Sequence, residues 1–391
     1  MQSGIQSPVY DKFAQVAGAL LNPSVEEWKQ QGRRVMGYFC SFIPEELFIA
    51  AGFLPFRMRG IGSCGTAQAD AYFDSKNCCF VRHCFDQALS GQYDFLDGLV
   101  VGTGCDHIRR VYDNWQHAPL KTPFLHLLDH PRTMGTPEMQ GEPMIAYYRA
   151  QLAKLKERIE NEFGVEVTVP RLRQAVKLCN ETRRLQRQLY ELRKADHPPI
   201  TAAETALVML AGTSMPKEQY NADLKVLLGE LAASPGIKRD YKARLMIVGP
   251  AIEDPNFYNL IEQGGGCVVT DDTCFGARTV SAVVDEMSED PLRAIAKFHV
   301  LDTVFCPKIN GAHVQRIKVI ADAIRDYKVG GIIGQGYVAC DPWGTSYALL
   351  GPHLKAVGTP FLRLDREYVS TESGQLQTRI QAFLETVGGQ V

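Results

Sequence analysis

Short apolar runs and helix-like stretches alternate from residue 35 to about 130, in the order VMGYF, PEELFIAAG, FLPFRM, FLDGLVV and PFLHLL. Strands separated by helical patterns predict βαβ units and a parallel sheet. From Ile145 to Ser234 the texture changes. In PRLRQAVKLCNETRRLQRQLYELRK, residues Leu172, Val176, Cys179, Leu185, Leu189 and Leu192 fall on roughly one helical face. Pro170 suits a first helical turn, and Pro198 and Pro199 close the segment. From Arg244 onward the short runs return as LMIVG, CVVTDD, TVFCP, GGIIG and TPFLRL, again separated by helical patterns. The pattern predicts an α/β chain in four parts. These are an N-terminal helical segment (1–34), a first α/β domain (35–144), a helical bridging region (145–240) and a second α/β domain (241–391). The second α/β region repeats the feature order of the first, which reads as a pseudo-repeat.

One landmark recurs in both halves. DFLDGLVVGTGCD ends at Asp106 and DYKVGGIIGQGYVACD ends at Asp341, each an apolar run closed by a Cys-Asp pair. If both runs are buried strands, Cys105 and Cys340 sit on loops leaving strand carboxyl ends, where open α/β sheets hold their ligands. Two such loops facing each other could hold one soft metal centre.

Composition narrows the partners. The 391 residues, 45% hydrophobic and 22% charged, have ordinary globular values and enough length for more than one core. A formal net charge of −2 without Lys/Arg blocks excludes an electrostatic footprint for nucleic acid. No apolar run approaches the ~18–20 residues needed to cross a bilayer, so no membrane association is expected. The N-terminus MQSGIQSPVYDKF lacks the basic and apolar regions of an export signal, which predicts a cytoplasmic protein. In that reducing compartment the eleven cysteines are expected as thiols.

Several cysteines carry candidate chemistry. A Cys at a strand-to-helix junction gains thiolate character from the helix N-terminus, and Cys105 and Cys340 are so placed. Cys179, midway along a helical face, reads as a core residue. SKNCCFVRHCFDQ packs Cys78, Cys79 and Cys84 around Arg82 and His83, a density that points to a ligand or redox role. No C-x-x-C pair and no ferredoxin-like run is present, so a cluster would need cysteines gathered by the fold. No phosphate-binding G-x-x-x-x-G-K-[ST] exists, and Gly264, Gly265 and Gly266 read as a helix-ending turn.

Taken together, CSFIPEELFIAAGFLPFRMRG, NCCFVRHCFDQAL, YDFLDGLVVGTGCDHIRRVYDNW, DDTCFGAR, VACDPWG and SGQLQTRIQAFLE resemble the benzoyl-CoA reductase and 2-hydroxyacyl-CoA dehydratase family. The likeness runs from about Met36 to Glu385 and is strongest to the C-type subunits of the ATP-dependent reductases. It implies paired flavodoxin-like domains with an iron-sulfur cluster in the cleft between them, and a heterodimer with a homologous B-type subunit. It further implies an acyl-CoA substrate, an ATP-hydrolysing iron-sulfur activator and ferredoxin as the upstream donor. The family's ligands map onto Cys78, Cys105 and Cys340, with Cys79 and Cys84 as alternatives for the first. A 4Fe-4S cluster is implied; some relatives carry a double-cubane 8Fe-9S cluster, and Cys40, Cys64, Cys79, Cys84 and Cys274 leave that open.

Such chemistry adds an electron to a thioester-conjugated system, so the site must be dry and must hold a proton donor. His107, His83 and Glu46 are the candidate donors, with Glu45 beside the last. Both glutamates follow Pro44, where carboxylates also suit a first helical turn. Arg109 and Arg110 could meet CoA phosphates, though pairing with Asp106 and Asp113 is the simpler reading. Trp115 and Trp343 could line an apolar pocket or simply pack in the core. The expected reaction is ring reduction of an aromatic acyl-CoA; the alternatives are 2-hydroxyacyl-CoA dehydration and a double-cubane reductase.

Overall fold

Two all-parallel, four-stranded sheets organise the chain, seen in a computed structural model that describes residues 5–133, 139, 141–303, 306–369 and 373–389. The first part comprises α1 (Pro8–Ala17), α2 (Pro23–Gln30), β1 (Val35–Phe39), α3 (Glu45–Ala50), β2 (Leu54–Arg57), α4 (Cys79–Leu89), β3 (Gly98–Gly102), α5 (Asp106–His117) and β4 (Phe124–Leu128). Four helices follow: α6 (Glu142–Phe163), α7 (Val169–Leu192), α8 (Ala202–Ala211) and α9 (Lys217–Ala232). The second sheet region comprises β5 (Ala243–Val248), α10 (Pro255–Gln263), β6 (Gly266–Asp272), α11 (Pro291–Lys297), α12 (His313–Asp326), β7 (Gly331–Tyr337), α13 (Asp341–Ala356), β8 (Phe361–Arg366) and α14 (Ser373–Gly388).

The sheet orders are β2-β1-β3-β4 and β6-β5-β7-β8, the same flavodoxin-like order built twice. Every residue of β1, β2, β3, β6 and β7 is buried, as expected where helices cover both faces of a parallel sheet. In the first sheet Gly37 lies opposite Phe56 on one side and Leu99 on the other. In the second, the β5–β6 register shifts between Leu245 and Met246. Of TVFCP, predicted as a strand, Val304 and Phe305 lie outside the described residues.

The helical region touches both sheets. Tyr148, Leu152 and Leu155 of α6 and Leu172 and Val176 of α7 pack against Met36, Tyr38 and Val100 of the first sheet. Ala202 and Ala203 of α8 instead join Leu245, Ile247 and Ile333 of the second. Residues 284–300, although they follow β6, pack with the first sheet's helices through Val284, Ile295 and Phe298.

Helix starts set up the site. Ser7, Asn22, Thr168, Thr201, Asp254 and Asp290 cap their helices with side-chain oxygens, the ordinary solution for unpaired N–H groups. By contrast α4, α5 and α13 begin at Cys78, Cys105 and Cys340, which make no side-chain cap hydrogen bond.

Candidate functional site

The carboxyl ends of β1, β3, β5 and β7 converge on one apolar cavity of about 90 Å³. Cys40 enters it from the end of β1, Cys105 from β3 and Cys340 from β7, while Pro250 and Ala251 supply the loop after β5. Cys78, Cys274 and Cys306 complete a ring of six thiols, with Phe39, Phe80, Phe275, Tyr337 and Trp343 between them. All eleven cysteines are free thiols. Among the described residues no three His, Cys, Asp or Glu side chains gather closely enough to hold a metal ion.

The thiols differ in protonation. Cys78 is pulled well below the usual thiol range, first by a hydrogen bond from Cys340 and then by one from Cys79. Cys340 is pushed up by that same contact and by burial, so one proton stays on the Cys340 side of the pair. Burial pushes Cys105 and Cys40 up, and Cys306 up to about 11. The thiolate character expected at helix N-termini is therefore overridden at Cys340 by the hydrogen bond it gives Cys78 and then by burial, and at Cys105 by loss of hydration.

One cation, Arg57, lines the cavity, and two more, Arg278 and Lys308, stand near its thiols. Arg57, at the end of β2, donates to the Cys274 carbonyl at 2.6 Å and stacks 4.2 Å over Phe275. Arg278 donates to the Cys274 Sγ at 3.4 Å and is ion-paired with Asp272 at 2.6 Å. Lys308 donates to the Thr103 carbonyl, and its charge acts on Cys40, Cys306 and Cys105.

The remaining sequence candidates lie as follows. Cys79 is buried beside Cys78, its sulfur turned toward the Tyr368 backbone, and Cys84 is fully buried in the core near Arg59 and Glu253; neither lines the cavity. Cys64 is exposed. His107 links the two Cys-Asp loops: its Nδ1 is 3.4 Å from the Cys78 N–H and its Nε2 3.1 Å from Asp341. His83 lies elsewhere, with Nδ1 2.7 Å from Ser63 Oγ and its ring 4.8 Å from Tyr368. Glu46 is fully buried in an ion pair with Arg183 at 2.6 Å. Glu45 pairs with Lys217 at 2.7 Å and accepts from the Tyr38 hydroxyl, in a separate polar cleft that Cys179 also lines. Arg110 pairs with Asp113 at 3.0 Å, whereas Asp106 pairs with Arg132 at 3.2 Å. Trp115 packs in the core, and Trp343 lines the cavity beneath Arg278 and Arg316.

Sequence reading missed Cys306 and the three cations. Cys306 stood inside TVFCP, a run read as a strand. Arg57 and Lys308 carried no local pattern, because only the fold brings them to the sulfurs.

The profile of the 2-hydroxyglutaryl-CoA dehydratase D-component family matches residues 40–387. The chain is 27% identical over 362 residues to the C-type subunit of benzoyl-CoA reductase from Thauera aromatica, covering 90% of both chains. It is 25% identical over 390 residues to the beta subunit of (R)-2-hydroxyglutaryl-CoA dehydratase from Acidaminococcus fermentans, covering 97% of this chain and 99% of that one. To the (R)-phenyllactyl-CoA dehydratase beta subunit of Clostridium sporogenes it is 22% identical over 364 residues, covering 93% and 94%. No helix of the described residues is long and apolar enough to cross a membrane.

Proposed function

Because the chain belongs to the 2-hydroxyglutaryl-CoA dehydratase D-component family, we propose that it is the catalytic iron-sulfur subunit of an enzyme acting on an acyl-CoA thioester. The reaction proposed first is ATP-dependent reduction of an aromatic acyl-CoA, with benzoyl-CoA as the type substrate. Redox-neutral dehydration of a 2-hydroxyacyl-CoA is the alternative. The observation that carries the reading is the ring of six thiols on one apolar cavity between two flavodoxin-like sheets. An all-sulfur donor set suits iron-sulfur chemistry and not a hard oxygen-seeking cation.

Cys78, Cys105 and Cys340 would hold a 4Fe-4S cluster. When bound, it supplies an electron at low potential to the thioester-conjugated system. The protein's own part is exclusion and alignment. Phe80, Tyr337 and Trp343 keep the cavity apolar, which strengthens every charge interaction inside it. His107 lies between the loop of Cys78 and that of Cys340, with Nδ1 facing the Cys78 N–H and Nε2 facing Asp341. Of the three candidate donors, His107 is the one adjoining the cysteine loops; His83 and Glu46 are engaged elsewhere.

A second cofactor reading is favoured by Cys40, Cys274 and Cys306. Three further thiols on the same cavity double the donor set, which suits the double-cubane 8Fe-9S cluster. The partners proposed are a homologous B-type subunit, an ATP-hydrolysing iron-sulfur activator and ferredoxin, all in the cytoplasm.

Anaerobic purification with iron and sulfide analysis tests the site. About four irons per chain supports one cubane, about eight the double cubane, and none overturns both. Cys105→Ser and Cys340→Ser should lose most iron while Cys179→Ser keeps it. Turnover separates the reactions: ring reduction consumes electrons and ATP continuously, whereas dehydration needs only an activating electron.

A further inference from the structure

The six cavity thiols fall into two groups with unequal electrostatic surroundings. Beside Cys78, Cys105 and Cys340 stand His107 and the carboxylates Asp106 and Asp341, whose side chains are 79% and 80% exposed and therefore well screened. Cys40, Cys274 and Cys306 stand among Arg57 and Arg278, while Lys308, bonded to the Thr103 carbonyl, acts on Cys40 and Cys306 and also on Cys105 at the border of the two groups. Asp272 is shared between Arg278 at 2.6 Å and Arg316 at 3.2 Å, so one carboxylate serves two guanidinium groups. Among the described residues neither Arg57 nor Lys308 has a carboxylate within ion-pair distance. Glu253 acts on Arg57 from a fully buried position, and Asp129, which acts on Lys308, is already hydrogen-bonded by the Thr103 and Tyr147 hydroxyls. Cations left without anions beside an apolar cavity are costly unless an anionic occupant completes them.

We propose that Arg57, Arg278 and Lys308 form a cationic collar that makes the Cys40, Cys274 and Cys306 group the electron-accepting half of the site. The inference rests on the reading that both thiol groups hold iron and sulfide. Positive charge beside one half stabilises the reduced form there, because added negative charge is attracted in a medium that screens poorly.

The test is a mediated redox titration followed by EPR, on anaerobically purified full-length protein, with iron counted on the same samples. Arg57→Gln and Lys308→Met should each make the site at least tenfold harder to reduce at fixed potential, equivalent to 59 mV for one electron. Arg57→Lys and Lys308→Arg should restore most of that shift, which a merely structural role would not. Asp341→Asn, on the other flank, should move the potential by less than a third as much. Arg278→Gln is secondary, since it also breaks the Asp272 pair. Iron-replete variants with unmoved potentials would overturn the collar alone. Wild-type protein holding about four irons or none would remove the two-group reading, and the collar with it.

Discussion

Replacing Glu253 by glutamine should flatten the dependence of folding stability on pH near neutrality. The residue is 2% exposed and follows β5; its carboxylate accepts from the Gly60 N–H and the Tyr368 hydroxyl, each at 3.1 Å. Arg59 acts on it, but that guanidinium is held by the Ala17 and Ala19 carbonyls at 3.0 Å. Burial outweighs the nearby cation and pushes the carboxyl from its ordinary 4.5 up to about 7. Between those values the folded protein keeps a proton that the unfolded chain has released. Stability therefore falls as pH rises through this window and levels off above it, by about 3 kcal/mol in all. His130 and His299, lowered by burial to about 3, work in the opposite sense, because below their ordinary 6.5 only the unfolded chain takes up protons. The raw profile mixes these slopes, so the informative quantity is the difference between variant and wild type. Urea unfolding should find Glu253→Gln equal to wild type near pH 4 and more stable by about 3 kcal/mol near pH 8. Parallel profiles across that range would refute the argument.

Three further outcomes are expected. Glu46→Ala leaves Arg183, whose side chain is 12% exposed, without its counter-charge, and should cost about 3–5 kcal/mol in urea unfolding; a loss below about 1 kcal/mol would show that the pair is solvated. Asp341→Asn removes the His107 contact from a carboxylate that is 80% exposed, so its cost should stay under about 1 kcal/mol, and a larger loss of stability would mean the loop contact holds the domains together. Gly276→Ala should cost about 1–3 kcal/mol and disturb the loop carrying Cys274, because a Cβ there would lie 1.8 Å from Asp271 Oδ1, the acceptor of the Thr273 and Ala277 N–H groups; wild-type thermal stability in this variant would count against that clash.

Strands were legible in the sequence where burial on both faces produced unbroken apolar runs. VMGYF coincides with β1 residue for residue, and GGIIG opens β7. The junctions at Cys105 and Cys340 were legible for the same reason, since an apolar run ends and a helix begins, with Pro342 in its first turn. Cys78 was harder to place, because a long loop after β2 carries no periodicity and its neighbour Cys79 is chemically identical. Helix geometry distinguishes them: Cys78 is the cap that opens onto the cavity, while Cys79, one step into α4, is rotated toward Tyr368. Packing of residues 284–300 on the first sheet also had no local signal, since it depends on a surface supplied by α6 and α7.

The duplicated sheet order accounts for where the thiols meet. In a 2-1-3-4 sheet the connections leave in opposite directions at the boundary between the first and third strands, opening a crevice at their carboxyl ends. Cys40 and Cys105 flank that boundary in the first sheet, after β1 and β3. In the second, the equivalent loops after β5 and β7 contribute Pro250, Ala251 and Cys340. Cys105 and Cys340 are thus counterparts in the repeat, which is why one Cys-Asp landmark occurs twice. The repeat breaks at the β5 loop, which has no thiol. There the cavity wall takes Cys274 from the end of β6 and Cys306 from the loop before α12, with Arg57 and Lys308 reaching across from either side. Replacing one loop's contribution by segments that bring Arg278 behind Cys274 and Lys308 near Cys306 means that the two repeats do not surround the cavity alike.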